Sequence, residues 1–103
     1  MVLSQFLDLY EKIHKAELSI YGDGHKEYAH RDADVHANFK RVGEALGLDP
    51  KLVLLVYLLK HMDGISAYCQ GHKSQREDVR GRITDAKVYL SLLWAMVEEE
   101  NDA

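Results

Sequence analysis

The sequence predicts an all-α domain of four helices. Apolar residues recur at three- and four-residue offsets, helix-start and helix-stop signals bracket the periodic stretches, and no stretch alternates as a half-buried strand would. In the first segment Leu3, Phe6, Leu7, Tyr10 and Ile13 share one face and Leu18 extends it, so an amphipathic helix is expected over roughly residues 3–19. Tyr21-Gly22-Asp23-Gly24 reads as its stop, because glycine and aspartate tolerate left-handed backbone. A polar segment over 21–33 follows. Asp34 then caps a second helix over 34–46, built on Val35, Phe39, Val42 and Leu46 and ended by Gly47. Asp49-Pro50 places a capping carboxylate before a proline at the first helical position, the strongest start signal in the chain. A third helix over 50–68 follows, and its nearly unbroken apolar stretch requires contact on most of its circumference. Ser74 followed by Glu77 fits a capping box that opens a fourth helix over 75–99. Glu98, Glu99 and Glu100 end it with charge that opposes the helix dipole, so fraying is expected there. The expected architecture is one compact, four-helix bundle-like domain over 1–103.

Composition narrows the function classes. The hydrophobic fraction of 47% and charged fraction of 29% are those of a soluble globular protein. A net charge of −4 argues against a duplex-DNA binder, which carries a basic stripe, but leaves nucleotides open. Cys69 is alone, so an internal disulfide is excluded and a reducing compartment is natural. The longest apolar run, Leu52 to Leu59, is eight residues, against the ~20 needed to cross a bilayer. Ser4, Gln5, Asp8 and Glu11 interrupt any leader-like apolar stretch near Met1. The expectation is a cytoplasmic protein with no membrane partner. The third helix has more apolar circumference than three short neighbours cover, so a homo-oligomer is expected, a two-fold dimer through helices 1 and 3.

Charged residues adjoin the apolar stretches of the last two helices: Lys60, His61 and Asp63 on one, and Glu77, Arg80, Arg82, Asp85 and Tyr89 on the other. Charges are buried only when paired or coordinating, so this placement points to a polar site inside a bundle. Lys60 and Asp63 can share a face, and Arg82–Asp85 and Asp85–Tyr89 are helical neighbours. On a continuous helix Glu77 and Asp85 differ by about 80° and about 12 Å, which suits flanking an extended ligand better than gripping one ion. The purely structural alternative stays open, with Glu77 closing a capping box and Arg82–Asp85 an exposed pair worth about 0.3–0.5 kcal/mol. A mid-helix Gly81 costs about 1 kcal/mol against alanine, so something is expected to approach the backbone there.

Six histidines are many for this length, and His25, His30 and His36 lie close to Glu27, Asp32 and Asp34. Imidazole with carboxylate suits zinc, manganese or iron, but the spacing matches no specific zinc pattern. Two readings remain: a solvated loop, or a loop that brings His25, Lys26 or Arg31 onto phosphate oxygens and Tyr28 onto a base. His61, inside an apolar helix, is either a hydrogen-bonded core histidine or a metal ligand with Asp63.

The pattern Glu77-x-x-Arg80-x-x-x-x-Asp85-x-x-x-Tyr89, with a Lys60-centred helix and Tyr21-Gly22 before it, resembles the nucleotide-modification-associated domain group of phage and prophage proteins. That group looks distantly like the MazG-type all-α NTP pyrophosphatases. About eight positions between 20 and 97 carry the resemblance. Asp63 stands where the group has arginine, and Val88 replaces its asparagine. The resemblance implies a nucleotide or cyclic nucleotide as ligand, a phage context in the host-cell cytoplasm, and a helical oligomer. On it, Lys60, Arg80 and Arg82 neutralise phosphates, Tyr21, Tyr28 or Tyr89 stacks on the base, and Asp63, Glu77 and Asp85, with His61, hold Mg²⁺. The MazG pairs Glu-x-x-Glu and Glu-x-x-Asp are absent from helices 3 and 4, and a triphosphate hydrolase wants about three or four carboxylates. Two functions therefore stand side by side: a Mg²⁺-dependent nucleotide pyrophosphohydrolase, or a non-enzymatic inhibitor or nucleotide sponge acting against a host-defence protein.

Overall fold

The computed structural model describes residues 1–28, 34–73 and 76–102, with the side chains of 22–28 and 102 left aside. The described residues form four helices: α1 Leu3–Tyr28, α2 Ala37–Leu46, α3 Pro50–Cys69 and α4 Val79–Asp102. The all-α expectation holds. α3 and α4 form the central pair, α2 packs on α3, and α1 rests along α4.

The strongest start and stop signals act as expected. Asp49 accepts the Lys51 backbone N–H at 2.9 Å, and Pro50 opens α3 behind it. Gly47 ends α2 in the left-handed region, at φ 70°. The turn is tight enough that the Leu48 backbone N–H donates to the Gly43 carbonyl at 2.9 Å. A Cβ on Gly43 would stand 2.6 Å from the Leu48 carbonyl oxygen, a backbone atom that cannot swing away. Gly43→Ala is therefore expected to cost about 1–3 kcal/mol in urea unfolding. An unchanged midpoint would mean that this turn has slack.

Several boundaries differ from the sequence expectation. α1 continues through Gly22 and Gly24 to Tyr28, because a glycine permits left-handed backbone without requiring it and weakens a helix by only about 1 kcal/mol. Asp34 does not cap α2 directly. Its carboxylate accepts the His36 N–H at 2.9 Å, shaping a turn that delays the helix to Ala37. α4 starts at Val79, not at 75. Asp78 caps it by accepting the Arg80 N–H at 2.9 Å, so Glu77 precedes the helix, and Ser74 lies outside the described residues. Gly81 thus falls in the first turn, and a Cβ there would meet nothing within 4 Å among the described residues, so its position needs no close approach of a neighbour.

The acidic end of α4 is held as well. Lys51 pairs with Glu100, Trp94 Nε1 donates to Glu98 at 2.9 Å, and Glu99 lies 3.4 Å from His36. These contacts offset the unfavourable dipole that made fraying the expectation.

Phe39, Val53, Leu54 and Met96 form the buried centre, with Val42, Tyr57, Tyr89, Leu92 and Leu93 packed around it. This core is small. The radius of gyration is 15.6 Å, against about 13 Å for a compact domain of this length. Much apolar surface stays open, including Leu3, Phe6, Leu7 and Tyr10 on α1 and Leu52, Val56 and Leu59 on α3. Among the described residues α3 is also the helix long and apolar enough to cross a membrane, and only 17% of its apolar window is buried. The eight-residue run understated that helix, since its average hydropathy carries beyond Leu59.

Three aspartates at helix starts titrate below the usual carboxylate range. Asp34 is lowered by the Lys40 ammonium and then the His36 N–H, and Asp49 by the backbone N–H of Lys51 and then its ammonium. Asp78 is lowered to about 2 by the Arg80 side chain and then its backbone N–H. A depressed folded-state pKa contributes stability that is complete above the unfolded value of about 3.9 and vanishes as pH falls through the folded values. The melting temperature should therefore fall as pH drops from about 4 to about 2. Equal melting temperatures at the two ends of that interval would remove the caps from the stability of the fold.

Candidate functional site

One aromatic residue from each of α2, α3 and α4 meets the others at one place. Tyr57 and Tyr89 stack with centroids 6.2 Å apart and planes 16° from parallel. Phe39 sets its ring edge-on to Tyr89 at 6.1 Å and tilted to Tyr57 at 5.8 Å. These rings line a cleft of about 430 Å³ together with Tyr21 of α1. The volume is that of a small-molecule site, and the walls are mostly apolar, as in such sites. Asn38 and Asp85 add an amide and a carboxylate, groups able to fix the orientation of a ligand.

His61 stands beside this wall, its ring 5.5 Å from Tyr89 and its Nε2 3.8 Å from Asp85 Oδ2. That separation exceeds a hydrogen bond. A ligand atom or water between them would bond both, and a protonated imidazole would pair with the carboxylate across the gap. The ring is largely buried, and its Nδ1 has no hydrogen-bond partner among the described residues.

The other sequence-derived candidates are placed unevenly. The Tyr21 hydroxyl donates a long hydrogen bond, 3.5 Å, to the Val88 carbonyl. Lys60 and Asp63 are exposed on α3. Arg80 is exposed and forks onto Asp78, with Nη2 2.7 Å from Oδ2, so its charge is already answered by a neighbour on the loop. Arg82 is mostly buried and lies across Gly64, where a Cβ would collide with its guanidinium. Its nearest acid is Glu77, 4.0 Å away, and not the Asp85 that helical spacing suggested. His25, Lys26 and Tyr28 have side chains outside the described residues, and His30 and Arg31 lie outside them entirely.

Of the four residues expected to hold a cation, His61 and Asp85 face each other across 3.8 Å. Glu77 precedes the first turn of α4, so the helical geometry linking it to Asp85 does not apply. Among the described residues the side chains that gather for a metal are instead Asp34, His36 and Glu99. Sequence reading also passed over Phe39, Tyr57 and Asn38. The only signal of Phe39 and Tyr57 was an aromatic ring at apolar helical positions, which reads equally well as core, and Asn38 carried none.

Comparison with protein-family models, with curated proteins and with solved structures finds no match for this chain. The fold and the cleft define an all-α domain with an aromatic-walled pocket, and the phage resemblance rests on the residues quoted for it.

Proposed function

We propose that this domain binds a nucleotide, seating the base in the aromatic cleft, and does not turn it over. The observation that supports this reading is the wall of Tyr21, Phe39, Tyr57 and Tyr89 with Asn38 and Asp85 at its edge. Base–aromatic stacking is worth about 1–3 kcal/mol per base, and a carboxylate and an amide supply the donor and acceptor edges that choose among bases. Binding without turnover is favoured because Asp85 is the only carboxylate lining the cleft among the described residues, too few for the metal ions of a pyrophosphohydrolase. The role that follows is a nucleotide sponge, which with the resemblance points to a phage protein in the host cytoplasm that starves a nucleotide-dependent defence.

Incubation with NTPs, dNTPs and cyclic nucleotides, read by thermal shift and chromatography, tests this. The expected result is stabilisation with ligand recovered intact. Product formation would make the protein an enzyme, and no shift with any member of the panel would leave a protein-directed inhibitor. Asp85→Asn is expected to abolish the ligand-induced shift and to move the unliganded stability by no more than about 0.5 kcal/mol. Retained binding would remove Asp85 from the site.

A two-fold dimer belongs to the same proposal. It is supported by the open apolar faces of α1 and α3 and by the small core. Lipid is the less favourable cover for α3. Lys60 lies about 15 Å along the helix from Pro50, near mid-bilayer in a spanning pose, where a lysine costs about 2.5–3.5 kcal/mol.

A further inference from the structure

We infer that Asp34, His36 and Glu99 form a divalent transition-metal site, with zinc the fitting ion, that clips the start of α2 to the end of α4. His36 is the most informative residue in the cluster. It is 1% exposed, and its Nδ1 has no hydrogen-bond partner among the described residues, a state unfavourable for a buried polar atom unless something else occupies it. Its other ring nitrogen, Nε2, lies 3.0 Å from the Leu92 carbonyl. A carbonyl only accepts, so Nε2 carries a proton, and in its neutral form the ring keeps the lone pair that can ligate an ion on Nδ1. A ring hydrogen bond to a backbone carbonyl is the usual support of a metal-bound histidine.

Nδ1 faces two carboxylates, Glu99 Oε1 at 3.4 Å and Asp34 Oδ1 at 3.8 Å. The three ligand atoms lie within 4.8 Å of one another. Bonds of about 2.1 Å in a tetrahedron put ligand atoms about 3.4 Å apart, so these groups stand close to ligating separations. Asp34 is oriented by its neighbours, and the backbone next to Glu99 is tied down through Glu100. Asp34 Oδ1 accepts the His36 N–H at 2.9 Å while its Oδ2 takes Lys40 at 2.5 Å. Lys51 holds Glu100, next to Glu99, against Asp49. A shallow cavity of about 340 Å³, lined by His36, Lys40 and Glu99, gives an ion a way in. One imidazole and two carboxylates carry two negative charges, which match a dication, and the mixed nitrogen and oxygen set suits zinc or manganese better than magnesium. Three protein ligands leave a coordination position for water.

The site is independent of the nucleotide cleft and stands or falls separately. Chelator-stripped protein titrated with ZnCl₂, and in parallel with MnCl₂, is read by calorimetry and thermal shift. The expected result is one ion per chain, a raised melting temperature, and preference for zinc. Glu99→Gln, at an exposed position, is expected to fold normally and to bind zinc at least ten-fold more weakly. The paired change His25→Ala with His30→Ala is expected to leave zinc binding intact. Zinc binding unchanged in Glu99→Gln, or lost in the His25/His30 pair, overturns the assignment, as does the absence of heat and shift with either ion.

Discussion

Leu54→Ala should lower the unfolding free energy by about 3–5 kcal/mol, the upper range for a leucine truncated in a core. Leu54 has no exposed surface and lies at the centre of the cluster of Phe39, Val53 and Met96. Removing three carbons there leaves a cavity that the packed side chains around it fill only in part. The loss falls on a domain whose total stability is about 5–15 kcal/mol, so the variant is expected to be marginal at 37 °C. Leu59, which is 59% exposed, is the matching control and should cost little as alanine in the monomer. Similar losses at the two positions, by urea unfolding, would mean that the described core is not where stability resides.

Val56→Asp is expected to be nearly silent in a monomer and severe in a dimer. Val56 is 62% exposed, so a carboxylate there stays hydrated in an isolated chain and should shift stability by no more than about 0.5 kcal/mol. In a two-fold interface each copy contributes the same patch, and two like charges lose water together. A rise in the dimer dissociation constant of about 100-fold, or about 2.7 kcal/mol, is expected by sedimentation equilibrium. A wild-type chain that sediments as a monomer at micromolar concentration sinks the dimer. Binding to lipid vesicles by that monomer would then identify a membrane as the cover for α3.

What could be read beforehand divides along the range of the interactions involved. Asp49-Pro50 and Gly47 were legible because a cap is local: the carboxylate, the proline ring and the left-handed glycine act on their own backbone within two or three residues. The competition between Ser74 and Asp78 to open α4 was not, since both are capable caps and the local sequence does not rank them. Gly22 and Gly24 misled for a related reason, as permission to turn is not an instruction. The site was legible in kind more than in membership. Tyr89 and Asp85 do reach a cleft, but their partners Phe39 and Tyr57 come from other helices. Glu99 had looked like part of a fraying tail because nothing in its neighbourhood along the chain announces His36.

Trp94, the only tryptophan, is 70% exposed and hydrogen-bonded through its ring N–H to Glu98. An indole already in water before the chain unfolds reports little when the chain does, so denaturation followed by tryptophan emission should show a small change, while circular dichroism shows a large one. The same exposure makes the residue a native optical probe of association. Any partner that covers this face of α4 should shift the emission to shorter wavelength, with no label introduced.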